Sequence, residues 1–281
     1  MHITISFIGA GKVGTALGIY FKRNGYRIAG YYSRTDERAR ESAAVTDAVA
    51  FDNPSALIAA SDMIWITTSD DQIEQVVQQI LSHPIPEDAA HKTFLHVSGA
   101  HSLEMLRPLQ AAGYQIAAAH PLMAFTDATS AADKLSTCWF AIEQEEETTL
   151  SLPLFFEQVG NHTFTVPTEK KTLYHAAACV LSNYMVTLLD GAYRMFEEAG
   201  LDAADVQAAT QPLLDSVLEN MKTKKPADAL TGPIKRGDAT TVAMHVDSIG
   251  DIMPQVLDLY KHMGRETMEM VQDYKLKEIL E

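Results

Sequence analysis

Lys171 and His175 are the pair of side chains in this 281-residue sequence whose types and spacing best suit the movement of a proton. Four residues is about one helical turn, so in a helix the two share a face. On a wheel of ~100° per residue, Lys171, His175, Ala178 and Ser182 fall within about 60° of one another. Leu173, Ala177, Val180, Leu181, Tyr184 and Leu188 gather on the other side. A cation and an imidazole followed by small residues describe a cleft with charge at its end and room further in. A lysine so placed can protonate or polarise a carbonyl or imine, with His175 tuning it or sharing the transfer. The same pattern fits a solvent-facing stripe, and spacing alone does not separate the two.

Three short segments can complete such a site: Thr67-Thr68-Ser69-Asp70, His96-Val97-Ser98-Gly99-Ala100-His101 and His120-Pro121-Leu122-Met123. Each follows a strand-like apolar run, and ligands of doubly wound sheets bind outside the carboxyl ends of the strands. Ser98 offers a hydroxyl and Gly99 a close backbone approach, while His120 brings a second titratable ring to a substrate. His96 and His101, taken singly, read more simply as packed or turn histidines. Further along, Leu230 to Asp238 brackets Lys235 and Arg236 between Gly-Pro and Gly-Asp pairs. That is either an anion grip or an ordered turn between helices, with Asp238 as the N-cap of the next.

The elements that must position these residues are legible from the N-terminus onward. Ile3 to Ile8 is a short apolar run feeding Gly9-Ala10-Gly11-Lys12-Val13-Gly14, followed by a helix-like segment from Lys12 to Arg23 and a second apolar run from Tyr26 to Tyr32. This is the strand–helix–strand context in which a GxGxxG pattern binds a dinucleotide. Gly9 permits the tight turn, Gly11 lets the backbone approach a pyrophosphate, and Gly14 lets helix and strand pack closely. The free amides of the helix N-terminus face the phosphates. The second strand ends Tyr32-Ser33-Arg34-Thr35, with no acid before Asp36. A guanidinium between two hydroxyls suits a 2′-phosphate, because it offers a planar fork of donors and a permanent charge. The pattern therefore predicts NADP(H) over NAD(H), with Thr67, Thr68 and Ser69 near its ribose.

Strand-like runs continue at 48–51, 63–68, 93–97, 115–119, 138–142 and 162–166, with helical segments such as Asp71 to Leu81 and Ser102 to Ala111 between them. Near-continuous apolar strands alternating with helices imply an α/β fold, a Rossmann-type doubly wound and mostly parallel sheet; the last strands are candidate antiparallel additions. After Pro167 the signals are helical: Thr168 to Ala199, Asp202 to Met221, Asp238 to Ile249 and Pro254 to Glu278. The expected division is a dinucleotide-binding domain over 1–167 and an all-α C-terminal domain over 168–281. The acidic run Glu143-Gln144-Glu145-Glu146-Glu147 reads as a solvated loop or helix start.

Composition narrows the classes. A net charge of −15 disfavours nonspecific nucleic-acid binding, and an anionic cofactor must be held by local donors rather than by the global field. No run approaches the ~20 apolar residues of a membrane span, and Met-His-Ile-Thr lacks a signal pattern. Cys138 and Cys179, far apart, suggest neither a disulfide framework nor a zinc site. The expectation is a cytoplasmic protein without a metal.

Together GAGKVG, Ser33-Arg34-Thr35, Ser98-Gly99-Ala100, His120-Pro121, Lys171 to Ala178 and Leu230 to Asp238 resemble the Rossmann-plus-helical-domain family labelled NADP oxidoreductase-like. Some of its members are labelled deazaflavin (F420)-dependent. That family resembles a branch of the β-hydroxyacid dehydrogenase, ketopantoate reductase and pyrroline-carboxylate reductase superfamily. The resemblance implies a helical domain like that of 6-phosphogluconate dehydrogenase, which dimerises and closes the site over the nicotinamide. It also implies a catalytic lysine, matched here by Lys171. In the hydroxyacid dehydrogenases an asparagine follows four residues later, where this chain has His175, which argues against a simple 3-hydroxyacid substrate. The function expected is NADP(H)-dependent hydride transfer to or from a small carbonyl, hydroxyacid or imine compound. Lys171 would act as acid/base, His175 as its partner, and Ser98 and His120 would position the substrate. The alternatives are a non-catalytic NADP(H) sensor or scaffold, and hydride transfer between NADP and a deazaflavin.

Overall fold

The structure is a computed structural model that describes residues 3–145 and 148–281, so Glu146 and Glu147 of the acidic run lie outside the described residues. The chain forms two compact units, Met1–Ser182 and Asn183–Glu281. The segment from Thr168 to Ser182 thus lies with the first unit.

The first unit is built on one eight-stranded sheet: β1 (Thr4–Ile8), β2 (Arg27–Tyr32), β3 (Val49–Ala50), β4 (Met63–Ile66), β5 (Thr93–His96), β6 (Gln115–Pro121), β7 (Trp139–Gln144) and β8 (His162–Thr165). Their order is β3-β2-β1-β4-β5-β6-β7-β8. The pairings from β3 through β6 are parallel, β7 is antiparallel to β6, and β8 is parallel to β7. The order reverses between β1 and β4, and that switch point is where a doubly wound sheet opens its ligand crevice.

Alternation along each strand separates two cores. Phe7, Trp65, Leu95, Ala117, Phe140 and Ile142 face one side, covered by the helices Lys12–Arg23, Ala128–Lys134 and Leu152–Gln158. Ile8, Ile64, Ile66, Phe94, Ile116 and Ala118 face the other, beneath Pro54–Ala59, Ile73–Leu81 and Arg107–Ala111. The reversal of β7 sets Ala118 opposite Glu143 and His120 opposite Ala141. Glu143, expected in a solvated run, is therefore a strand residue whose side chain is only 16% exposed. It sits on the sheet face opposite Phe140.

After β8 a 3₁₀ turn (Thr168–Lys170) leads into the helix Lys171–Cys179 and a π-helical segment, Val180–Tyr184. The stretch Thr168–Glu198 has the length and a mean hydropathy, 1.2, that meet the composition of a membrane span, which local runs in the sequence did not suggest. It nevertheless carries Lys171, buried in an ion pair with Glu143. Leu173, Val180 and Leu181 of this stretch are exposed.

The second unit is helical: Met185–Glu198, Ala203–Thr223, Ala239–Ile252 and Pro254–Val271 are its long members. A small core unites Val242, Met268, Leu276 and Leu280. Asp238 caps Ala239–Ile252, accepting from the Thr241 N–H at 3.1 Å. Lys235 donates to the Ala227 carbonyl at 2.6 Å, so the 230–238 segment is organised as a turn between helices.

Candidate active site

The Gly-rich turn hangs on two strands. Gly9 N–H donates to the Tyr32 carbonyl and Thr67 N–H to the Ile8 carbonyl, both at 2.8 Å. Gly9 has φ +110°, and a β-carbon there would lie 2.7 Å from the Thr67 carbonyl carbon and the Thr68 nitrogen. Gly14 fits beneath the Gly9 carbonyl, which a β-carbon would approach to 2.5 Å. Thr67 locks this arrangement by donating its hydroxyl to the Gly9 carbonyl at 2.6 Å. Its oxygen is thereby committed to the turn. Gly11 is different: its φ is ordinary (−88°) and nothing lies within 4 Å of the place a β-carbon would occupy. Packing does not require a glycine there, and the open space leaves room for a ligand to approach the backbone.

A cleft of about 510 Å³ opens at this turn, lined among others by Gly9, Ala10, Gly11, Ser33, Arg34, Thr35, Thr67, Thr68 and Ser69. Lys12 and Val13 lie outside the lining. Lys12 is exposed at the helix N-terminus, and Val13 packs on the core. The first turn of Lys12–Arg23 has neither an acidic residue nor a side-chain cap, so its amides remain open to an anion. Arg34 has no ion-pair partner among the described residues, nor has Arg38, a lining residue the sequence reading missed. The Arg34-x-x-x-Arg38 spacing across a helix start was the available signal. The buried hydroxyl of Thr68 also has no hydrogen-bond partner among the described residues. Open amides, a cradle that a β-carbon would fill, two unpaired guanidiniums and an orphaned hydroxyl are the donor set that a dinucleotide with a 2′-phosphate requires. Ser69 donates to Asp71, which helps hold that carboxyl below the usual range.

Beside this cleft the ends of β4, β5 and β6 carry the titratable cluster. Ser98 donates to Asp70 Oδ2 at 2.7 Å and accepts from the amides of Ala100 (3.2 Å) and His101 (3.0 Å). One donor and two acceptors exhaust a hydroxyl, so Ser98 braces its loop. His96 is fully buried, accepting from Ser98 N–H at Nδ1 and meeting the Ser102 carbonyl with Nε2 at 3.0 Å. Its ring is therefore the neutral Nε2–H form. Burial, and secondarily the Lys171 charge, pushes its pKa down to about 4. His101 is exposed.

His120 Nδ1 lies 2.7 Å from the Tyr174 hydroxyl. Burial, then His175 and Lys171, lower its pKa to about 4, with Asp70 opposing. Burial pushes the Tyr174 phenol up to about 12. Gly99 is wedged between the two histidines, where a β-carbon would lie 2.6 Å from His175 Cδ2 and 2.8 Å from His120 Nε2. His175 Nδ1 is 3.8 Å from the half-buried Cys179 thiol. Cys138, in contrast, is buried and its thiol is pushed up to about 12.

Lys171 is buried, its ammonium donating to Glu143 Oε2 at 3.1 Å, while Glu143 Oε1 accepts from the Thr168 hydroxyl at 2.8 Å. The helix thus begins against Glu143 and rises past His120 at Tyr174 and past Gly99 at His175. Glu143 and Tyr174 were missed from the sequence. Tyr174 carried a signal, the i+3 position from Lys171 on the same face; Glu143 carried none that is local.

Residues 1–121 match the Rossmann-like domain and residues 138–267 match a domain of unknown function, DUF2520. The two matches follow one another along the chain. No curated protein matches in sequence. Among solved structures, a Bacteroides fragilis protein described as an NADP oxidoreductase is 21% identical over 95% of this chain and 98% of its own, with a TM-score of 0.77. A Thermotoga maritima protein is 24% identical over 95% and 98%, with a TM-score of 0.70. A pyrroline-5-carboxylate reductase from Coxiella burnetii is 15% identical over 96% and 99%, with a TM-score of 0.62. At such identities the shared property is the fold.

Proposed function

We propose that this chain is an NADP(H)-dependent oxidoreductase acting on a small carbonyl, hydroxyacid or imine compound. The observation that carries the reading is Gly11, a glycine no packing demands, in a cleft also lined by Arg34 and Arg38, which have no ion-pair partner among the described residues. NADPH, when bound, supplies a hydride at its nicotinamide. Gly9, Ala10, Gly11, Lys12, Val13 and Gly14 would present the turn and helix amides to the pyrophosphate. Ser33, Arg34, Thr35 and Arg38 would hold the 2′-phosphate. Thr68 and Ser69 would meet the ribose, with Thr67 fixing the turn.

In this reading His120 touches the substrate and His175 lies beside it. Lys171 moves or holds the proton with Glu143 as its counter-ion, and Ser98 acts through the loop and the Asp70 carboxylate it braces. The relatives favour the imine side of the range, since pyrroline-5-carboxylate is a cyclic imine. The helical unit, like the C-terminal domain of 6-phosphogluconate dehydrogenase, would join two copies of the chain, its exposed Val186, Leu213 and Val217 supplying the contact. Two free cysteines suit the reducing cytoplasm.

The test is a thermal-shift titration with NADPH and NADH, repeated on Arg34→Ala. Ligand at ~100 times its dissociation constant adds about 2.7 kcal/mol to stability. NADPH is expected to bind more tightly than NADH, and Arg34→Ala to erase the difference. Binding of neither nucleotide would remove the oxidoreductase reading. With NADPH bound but no oxidation by cyclic imines, ketones or ketones plus amines, a sensor role would take its place.

A further inference from the structure

We propose that Tyr174 is a positioning residue that donates its phenolic hydrogen to His120 Nδ1 and so fixes His120 as the Nε2–H tautomer, a neutral hydrogen-bond donor to the lone pair of a carbonyl oxygen or imine nitrogen. The nature of that acceptor rests on the function proposed above. The tautomer does not.

Three observations carry the assignment. The Tyr174 oxygen and His120 Nδ1 are 2.7 Å apart, a short separation for a neutral pair. The phenol forms no other hydrogen bond among the described residues. As donor it is satisfied by this one bond. As acceptor from Nδ1–H it would leave its own hydrogen without a protein partner in a half-buried position. The rings stand nearly perpendicular, at 87° and 5.5 Å between centroids.

The second nitrogen is left open by a glycine. A β-carbon at residue 99 would lie 2.8 Å from His120 Nε2, so any other side chain there would cover the nitrogen. His175 does not occupy it as a partner, because the two rings stand 5.9 Å apart, edge to face, and the His175 Nδ1 is turned to Cys179. The groups that act on His120 are Tyr174, His175 and Lys171 from the helix and Asp70 from the loop after β4. Burial leads their combined effect, and the ring is neutral at physiological pH. The phenol stays protonated over the same range, so the donor to Nδ1 is always present. A fixed tautomer saves the reorganisation that a freely exchanging ring must undergo in each encounter.

The experiment is a long-range ¹H–¹⁵N correlation spectrum of the histidine rings in uniformly ¹⁵N-labelled, cofactor-free protein at pH 7. His120 is assigned by the signals lost in His120→Gln. The expected pattern is a protonated Nε2 and a bare Nδ1 in the wild type, with loss of that single tautomer in Tyr174→Phe. A protonated Nδ1 in the wild type would overturn the proposal without any variant being needed. An unchanged Nε2–H signature in folded Tyr174→Phe would also overturn it. NADPH binding to the wild-type sample is read separately by thermal shift. Its failure would strike the oxidoreductase reading and leave the tautomer result standing.

Discussion

Lys171 and Glu143 leave the water together, and each charge stays in the interior only because the other is there. Removing one partner from a buried pair costs about 3–5 kcal/mol, whereas replacing both by apolar groups costs much less. Lys171→Met and Glu143→Leu are each expected to lower the unfolding free energy by roughly that amount, and the double variant by less than their sum. Urea unfolding of the four proteins in a double-mutant cycle checks this; strict additivity would mean that the two charges are separately solvated. The pair also shows where sequence reading stops. Lys171 and His175 were legible because a helix repeats every turn. Glu143 was not, because its partner lies in another element and the strand register that joins them leaves no local mark. It stood at the head of an acidic run and looked like surface.

Strands and helices themselves were largely legible, since apolar runs and glycine punctuation are local signals. All eight strand segments and the helix Lys12–Arg23 appear where the pattern puts them. The π-helical segment after Cys179 was not foreseen, because it is a departure from the period used to read it. Within the Gly-rich turn, the glycines differ in what they do. Gly9→Ala puts a side chain at φ +110° against the backbone of β4's exit and is expected to destabilise the fold by about 1–3 kcal/mol. Gly11→Ala has ordinary φ and open space, so stability should change by no more than about 0.5 kcal/mol, while NADPH affinity falls on the order of tenfold or more. Melting curves with and without NADPH separate the two. A Gly11→Ala protein that binds NADPH normally would show that the open space serves some other purpose.

Across the whole molecule, the two neutral histidines tie stability to acidity. The ordinary histidine pKa is 6.5, and both His96 and His120 are lowered to about 4 in the fold. Between those values the unfolded chain binds more protons than the native one, so stability rises with pH. It is complete above pH 6.5 and is lost as the pH falls toward 4. Unfolding free energies from urea titrations at pH 7, 6 and 5 should change little at first and then fall between pH 6 and 5, by up to roughly 1 kcal/mol per pH unit for the fully buried His96. His96→Asn should flatten the slope. The helical unit leaves Val186, Leu213, Val217 and Met244 exposed, and these are the apolar side chains the proposed dimer would cover. Sedimentation equilibrium is expected to give a dimer that Leu213→Asp with Val217→Asp converts to monomer; a monomeric wild type would remove the dimer from the proposal.

The contrast between the two thiols has a practical consequence. Cys138 is buried just before β7 and held in its protonated form, while Cys179 is half-buried on the helix beside His175. An alkylating reagent should add one group per native chain, at Cys179, and a second only when the sheet opens. Intact mass after a short iodoacetamide pulse then counts folded and unfolded molecules directly, so the protein carries its own label for following its folding. Equal rates at both thiols would show that Cys138 is reached by local opening instead.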